Sequence, residues 1–266
     1  MSYKDQIRGL YAMSAIIDSP AIGEFKLSGG EIHYLYWYIQ GSIMNSGIRH
    51  SLRKAWGFCE RHGWGAVLVE AAFRHSYMHG PAILYEDILG LATQALDLHG
   101  PVKNLRLRRN LREKGPCIMC EMGLGTETKG KASPDIVQTG SDPSHLQFFA
   151  QKTKKYWERT VCGRCVKNGS LQRCRRHLIE DASIGSVRDI SFHRGVLDYI
   201  LEHLVIYARS FRWECKGTDT EEDRAALISA IGWCSGWGPL LEIVEFEDLE
   251  ADPIKDQEAH HRYIET

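Results

Sequence analysis

Residues 162–177 read CGRCVKNGSLQRCRRH, and this stretch contains the ligand pattern of a metal site. Cys162 and Cys165 are separated by two residues, and Cys174 and His177 repeat that separation. Thiolate sulfur and neutral imidazole nitrogen are the ligands that zinc prefers, and a tight turn lets two side chains at this spacing bind one ion. A structural zinc needs four ligands, so the stretch is complete by itself.

A further pair with the same spacing, Cys117 and Cys120, precedes this stretch and leaves three assignments open. One is an all-thiolate site, another combines the Cys117 pair with the Cys174 pair, and the third is the self-contained run. A two-metal arrangement that uses all six side chains together with further residues is also open. We expect four ligands per zinc from these six candidates: Cys117, Cys120, Cys162, Cys165, Cys174 and His177.

Two weaker candidate groups lie nearer the N-terminus. Cys59 and His62 also have a two-residue separation, and they can be metal ligands or simply pack at the start of a helix. His75 and His79 are four residues apart, which places both on one face of a helix. Satisfied histidines at a helix interface explain this second pair better than a metal or proton relay does.

The use of cysteine indicates a reducing compartment. The chain has eight cysteines, but its first residues lack the basic and then apolar pattern of a secretion signal. No stretch approaches the roughly 20 apolar residues that span a bilayer. We therefore expect a cytoplasmic protein with no membrane contact, whose clustered cysteines bind metal rather than form disulfides. Cys215 and Cys234 lie among tryptophans and aliphatic residues, which predicts that they are small buried side chains.

The metal is predicted to be zinc in a structural role, with an iron–sulfur cluster as the alternative. The sequence contains no phosphate-binding loop, dinucleotide fingerprint or serine-hydrolase elbow. It therefore favours a binding role over an enzyme. A metal-binding adaptor, assembly factor or accessory subunit with a protein partner is the leading hypothesis. An iron–sulfur redox or electron-transfer protein is the second hypothesis.

Composition and periodicity indicate a mainly α fold: a helical bundle with an inserted cysteine-rich, zinc-knuckle-like module. The 266 residues are 43% hydrophobic and 25% charged, which is enough for a core and excludes collagen-like or wholly disordered chains. Apolar residues recur at helical spacing before residue 100 and after residue 143. The predicted organisation is an N-terminal helical half (1–100), a metal-binding module (101–178), C-terminal helices packing on the N-terminal half (179–250) and an acidic tail (251–266).

Charge is divided unevenly along the chain, although the whole sequence has a formal net charge of -1. Residues 101–177 have a net charge of +11, and residues 178–266 have a net charge of -11. Basic residues mixed with aromatic ones in 103–112 and 152–176 can bind phosphates and stack on bases. Docking of the basic segment on the chain's own acidic third is the preferred explanation, and nucleic-acid binding is the third hypothesis.

Several short motifs resemble those of an uncharacterised bacterial family. The motifs are WGFCERHGW (56–64), HGPAILYEDIL (79–89), PCIMC (116–120) and RCRRHL (173–178), with FRWE and TEEDRAALISAIGW further on. The family is built from two related halves, each pairing Cys-x-x-Cys with a later Gly-x-Cys-x-x-His. The resemblance implies a helical metal-binding protein in which the Cys117 pair joins the Cys174 pair, with the Cys162 pair as the alternative partner. This chain lacks a Cys-x-x-Cys upstream of Cys59 and has Gln172 in place of the family's glycine.

Overall fold

A computed structural model describes residues 25–244 of the chain, except residues 75, 101 and 188. These residues are mainly α-helical, and no β-strand occurs among them, which confirms the predicted fold class. None of the helices in this range is long and apolar enough to cross a membrane. The predicted acidic tail, 251–266, lies outside the described residues.

The helices follow the predicted periodicity closely. They are α1 (Gly29–Trp37), α2 (Ser46–Ala55), α3 (Glu60–Arg74), α4 (His79–Ala95), α5 (Lys103–Leu111), α6 (Ile118–Glu121), α7 (Pro134–Gly140), α8 (Ser144–Trp157), α9 (Arg175–Ser183), α10 (Ile190–Ser210), α11 (Glu221–Ser235) and α12 (Gly238–Val244). A π-helical turn, Tyr38–Ser42, extends α1.

The stretch between residues 100 and 142 corrects one expectation. The sequence indicates a linker, a knuckle and a loop there, but the structure has two additional helices, α5 and α7. In α5, Leu107 and Leu111 are fully buried, while Arg108 and Arg109 between them are exposed and basic. Two apolar residues four positions apart make too narrow a stripe to stand out from the surrounding charges, yet they suffice to hold the helix against α9.

Contacts within the chain define two compact units, each made from separate segments. Among the described residues, unit I comprises 25–84, Gly115–Lys152 and 238–244. Unit II comprises Tyr85–Lys114 and Thr153–Trp237. The segment predicted as one cysteine-rich module, 101–178, is therefore shared between the two units.

The core of unit I forms around α3, which contacts α1, α7 and α12. Every residue of α3 from His62 to Ala72 is buried, so this helix is central rather than one-sided. Trp64 and Val67 are fully buried, as are Ile32 and Leu35 of α1. Burial of such side chains contributes about 1.5–3 kcal/mol each, which makes α3 the support for any site at its N-terminus.

Unit II is organised by two helix pairs, α10 with α11 and α5 with α9. A capping box starts α11, because Thr220 accepts the N–H of Asp223 while Asp223 accepts the N–H of Thr220. Trp157 and Trp237 stack with ring centroids 6.1 Å apart and are fully buried. The helix that carries His177, α9, packs against α5 and α11.

Candidate metal centres

The first candidate centre, site I, starts at the turn between α2 and α3. Trp56 ends α2 in the left-handed region with φ 61°, and Gly57 follows with φ 98°. The turn places Cys59 directly before α3 and His62 in its first turn. The Cys59 carbonyl accepts the N–H of Gly63 at 2.8 Å, so backbone geometry aims the thiol and the imidazole from the same helix end.

The other two side chains of site I come from the knuckle that contains Cys117 and Cys120. Cys117 immediately precedes the single turn of α6, and its carbonyl accepts the N–H of Glu121 at 2.9 Å. Gly123 ends the turn with φ 72°, a conformation that favours glycine, and donates its N–H to the Cys120 carbonyl. The knuckle turns both thiols towards the start of α3.

The ligand atoms of site I fit around one ion. His62 Nδ1 lies 3.2 Å from Cys59 Sγ, 3.6 Å from Cys117 Sγ and 3.5 Å from Cys120 Sγ. The Sγ atoms of Cys59 and Cys120 are 3.6 Å apart. Bond lengths to zinc of about 2.3 Å for sulfur and 2.0–2.1 Å for nitrogen place tetrahedral ligand atoms about 3.6–3.8 Å apart. All four atoms lie within 4.8 Å of one another, so site I has the size of a Cys₃His metal site.

A buried carboxylate lies behind the histidine of site I. Glu31 in α1 is fully buried, and its Oε1 accepts the Nε2–H of His62 at 3.0 Å. Arg61 donates to both oxygens of Glu31, at 2.6 and 2.8 Å, and its Nη2 also donates to the Lys26 carbonyl at 2.5 Å. The Ser28 N–H completes the set at 2.7 Å. The carboxylate of Glu31 thus has four donors and no unpaired oxygen.

The contacts of site I shift the pKa values of its groups. Burial opposes ionisation of Glu31, but the hydrogen bonds from Arg61 and His62 outweigh it and hold the pKa of this carboxyl well below its usual range. Burial disfavours the protonated form of His62, while Cys117 and Glu31 raise its pKa to about 9. A hydrogen bond from Cys59 lowers the pKa of Cys117. The pocket therefore stabilises the anionic forms of Glu31 and Cys117, which attract a cation.

Site I is partly open to solvent. Cys117 and His62 are buried, whereas Cys59 is half-buried and Cys120 is exposed. Cys59 also borders an open groove of about 510 Å³. The remaining lining residues of this groove are Phe25, Glu60, Arg61, Gly238, Pro239 and Glu242.

The second candidate centre, site II, is held by a tight loop in unit II. The Cys162 carbonyl accepts the N–H of Cys165 at 2.9 Å, and the N–H of Gly163 donates to the Gln172 carbonyl at 3.0 Å. A Cβ atom at position 163 would lie 2.2 Å from the Ser170 carbonyl oxygen, so only glycine allows the loop to fold back against the knuckle. The returning loop delivers the second ligand pair to the knuckle.

The second pair of site II opens α9, just as the corresponding pair of site I opens α3. Cys174 is the residue before α9, and its carbonyl accepts the N–H of Leu178 at 2.9 Å. His177 Nδ1 lies 3.2 Å from Cys162 Sγ, 3.4 Å from Cys165 Sγ and 3.3 Å from Cys174 Sγ. Site II is therefore a second Cys₃His group of the same dimensions.

The thiols of site II share protons unequally. Hydrogen bonds from Cys165 and Cys174 lower the pKa of Cys162, so this thiol ionises first. The contact with Cys162 and burial raise the pKa of Cys174 to about 12. Among the described residues, the acidic neighbour of the outer nitrogen of His177 is Glu180, whose Oε2 lies 4.0 Å away. Within this part of the chain, site II therefore has no close buried carboxylate like the one that supports site I.

The structure brings the six main candidates into two groups rather than one. Cys162, Cys165, Cys174 and His177 form site II, which is the self-contained run. The Cys117 pair joins Cys59 and His62, not the Cys174 pair as the resemblance implies. The Cys59 pair therefore has a cysteine knuckle as its partner, supplied from downstream in the sequence.

His79, Cys215 and Cys234 belong to neither group. His75 lies outside the described residues, and burial lowers the pKa of His79, whose ring is 6.5 Å from that of Tyr77. Cys234 is buried as expected, and burial raises its pKa to about 12. The prediction for Cys215 was wrong, because this residue is half-buried in a short 3₁₀ turn.

Sequence reasoning missed Glu31 and Arg61. The only local signal is Ser28 followed three residues later by Glu31, which indicates a capping box and a helix start. Nothing in that pattern reveals that the same carboxylate contacts a histidine 31 residues away. The contact depends on how α1 packs against α3.

Comparison with protein-family models, curated proteins and solved structures gives no match. The resemblance to a family with duplicated cysteine motifs stays a prediction. The assignment of a function therefore rests on the geometry of the two sites.

Proposed function

We propose that this protein binds two structural zinc ions, one in site I and one in site II, and acts as a metal-stabilised adaptor, assembly factor or accessory subunit. The observation that carries the proposal is the pair of Cys₃His groups, whose ligand atoms lie within 4.8 Å of one another. Each group combines a Cys-x-x-Cys knuckle with a Cys-x-x-His pair at a helix start. A metal ion bound by such a group stabilises the fold, because it fixes a knuckle against a helix start.

Ligand type and spacing support zinc over an iron–sulfur cluster. Three thiolates and one imidazole are a usual structural zinc set. In a cubane cluster each thiolate binds a different iron atom, so the sulfur atoms spread around the cluster. The close sulfur–sulfur distances here, 3.6 Å in site I and 3.9 Å in site II, suit ligands of a single ion.

The complete ligand sets support a structural role. Catalytic zinc keeps a coordination position for water or substrate, whereas a structural zinc is enclosed by four protein ligands. Four protein ligands converge in each group, and two of the four are buried in each case. We propose the adaptor role because four protein ligands in each group leave no coordination position for a substrate.

Metal analysis tests this proposal directly. The chain purified without added metal should contain two zinc ions, measured by inductively coupled plasma mass spectrometry. Cys117→Ser and Cys174→Ser should each reduce the content to one. Cys215→Ser, which alters a half-buried cysteine outside both sites, is the matched control and should retain two. Metal-free protein, or visible absorption from iron after anaerobic purification, would overturn the proposal.

Nucleic-acid binding is a second candidate function, favoured by the surface of α5. Arg106, Arg108 and Arg109 are exposed, and α5 contains no carboxylate. Among the described residues, none of these three arginines forms an ion pair. Like charges three or four positions apart repel one another, and bound phosphates would relieve that repulsion.

The other basic segment, 152–176, offers less to a nucleic acid than its sequence indicates. Arg164 and Arg173 both pair with Asp181, and Arg175 is buried against Glu113. Trp157 is fully buried, so it cannot stack on a base. The second candidate function therefore rests on α5 and on phosphate contacts.

Fluorescence anisotropy with a labelled RNA hairpin and a DNA duplex tests this candidate. Affinity should fall as salt rises, and Arg108→Gln with Arg109→Gln should lower the salt slope by about 1 for each lost phosphate contact. Lys129→Gln with Lys131→Gln removes the same charge from exposed positions in unit I and should have little effect. Equal losses in both double variants, or no salt slope, would exclude α5 as the binding surface.

A further inference from the structure

We infer that Glu31 is a positioning residue for site I: it holds His62 in the orientation that binds the metal and ties the metal to the start of α1. This inference rests on the proposed function and extends it to the regulation of one of the two sites. We therefore expect site I and site II to release zinc at different rates, although they have the same ligand set.

The geometry of Glu31 matches the role of an outer carboxylate in metal sites. Nδ1 of His62 faces the three thiols, and Nε2 faces Glu31 Oε1 at 3.0 Å. A metal on Nδ1 leaves the ring proton on Nε2, where a carboxylate acceptor fixes both the tautomer and the ring plane. Because Glu31 is fully buried, no water competes for this hydrogen bond.

Arg61 makes the position of Glu31 rigid. Its guanidinium binds both carboxylate oxygens, and the same group reaches the Lys26 carbonyl and lies 5.7 Å from the Phe25 ring centroid. A planar bidentate pair restricts the carboxylate more than a single hydrogen bond does. The residues leading into α1 are thus held by the same network that orients the ligand His62.

A second connection joins the start of α1 to the knuckle of site I. The N–H of Gly30 donates to the Thr128 carbonyl at 2.7 Å, and the Thr128 hydroxyl accepts the N–H of Gly125 at 2.9 Å. Thr128 lies in the loop that follows Cys120 in the chain. Hydrogen bonds therefore connect the knuckle to α1, and Glu31 of α1 to the ligand His62. A metal bound by His62 and the knuckle would stabilise all of these contacts.

Site II supplies the internal comparison, because it has the same ligands without this support. In the part of the chain that the structure describes, the carboxylate nearest to the outer nitrogen of His177 is Glu180 Oε2, at 4.0 Å, and the Glu180 side chain is 45% exposed. A contact this long and this exposed constrains the imidazole weakly. We therefore expect removal of the carboxylate to matter at site I and not at site II.

Chelator competition tests the inference within one molecule. Zinc-loaded protein is mixed with 4-(2-pyridylazo)resorcinol, and Cys117→Ser and Cys174→Ser assign the release phases to the two sites. Glu31→Gln should release zinc from site I about 10- to 100-fold faster or more completely, the usual effect of losing an outer carboxylate. Release from site II should be unchanged. Glu180→Gln is the matched control and should alter neither phase.

Two further measurements separate positioning from general stability. Ser28→Ala removes the capping hydroxyl of α1 but leaves the Glu31–His62 contact, so it should lower the melting temperature without speeding release from site I. In cobalt-substituted protein, Glu31→Gln should shift the visible bands of site I alone. If Glu31→Gln and the parent protein each bind two zinc ions and release them at equal rates, the inference is overturned. If the parent protein itself contains no zinc, the proposed function is overturned instead.

Discussion

At the scale of single residues, one glycine decides whether site II can form. The Gly163 N–H donates to the Gln172 carbonyl, and its missing side chain leaves room for the Ser170 carbonyl. This close approach brings the two ligand pairs of site II together. Gly125, in the loop after the knuckle of site I, has open space at the corresponding position of a Cβ atom.

Gly163→Ala should therefore disrupt site II. The added methyl group would overlap the Ser170 carbonyl, and relief of that overlap moves the loop that carries Cys174. We expect zinc content to fall from two to about one per chain and stability to fall by about 1–3 kcal/mol. Gly125→Ala should retain two zinc ions, and the same loss in both variants would contradict this explanation. Metal analysis and urea unfolding measure the two effects.

At the scale of elements, helix starts organise both the metal sites and the packing of unit II. Each Cys-x-x-His pair lies in the first turn of a helix, where the partial positive charge of the helix end favours anionic thiolates. In unit II, Asp223 both caps α11 and accepts a hydrogen bond from His203 Nδ1 of α10 at 2.6 Å. One carboxylate thus begins a helix and fastens it to its neighbour.

Asp223→Ala should cost more stability than Thr220→Ala. Thr220→Ala removes one capping hydroxyl and should cost about 1 kcal/mol. Asp223→Ala removes the reciprocal cap and leaves His203 without its carboxylate, so about 2–4 kcal/mol is expected. Urea unfolding followed by tryptophan fluorescence compares the two variants. Equal losses of stability would show that the hydrogen bond between His203 and Asp223 contributes nothing.

At the scale of the whole molecule, the ligand atoms of site I bring together segments that are far apart in sequence. Site I links the start of α3 to a knuckle 58 residues away, as the contact between His62 and Cys120 shows. Part of the opposed charge along the chain is also satisfied internally, because Arg164 pairs with Glu180 and Lys155 with Glu221. The Cys₃His group of site I and these ion pairs therefore connect parts of the chain that are separated in sequence.

Zinc affinity should depend on pH, and the protonation of the ligands determines the direction of the change. Thiols bind zinc as thiolates and His62 binds it as a neutral ring, so every ligand proton competes with the metal. Contacts that raise the pKa of His62 to about 9 add one such proton near neutral pH. The apparent affinity should fall as the pH decreases from about 8 to about 5. Chelator titrations at several pH values measure it, and a flat profile would contradict thiolate ligation.

Sequence alone predicts the local parts of this protein. Helical periodicity predicts most of the helices, and the two-residue spacing predicts the ligand pairs, because backbone geometry over three or four residues aligns both side chains. The pairing of those pairs is a tertiary property. Cys117 and Cys120 join Cys59 and His62 because of how α2, α3 and α6 pack, and short-range spacing contains no record of that packing. The same reason applies to Glu31. Its local sequence identifies it as part of a helix cap, whereas the packing of α1 on α3 brings it into contact with His62 of site I.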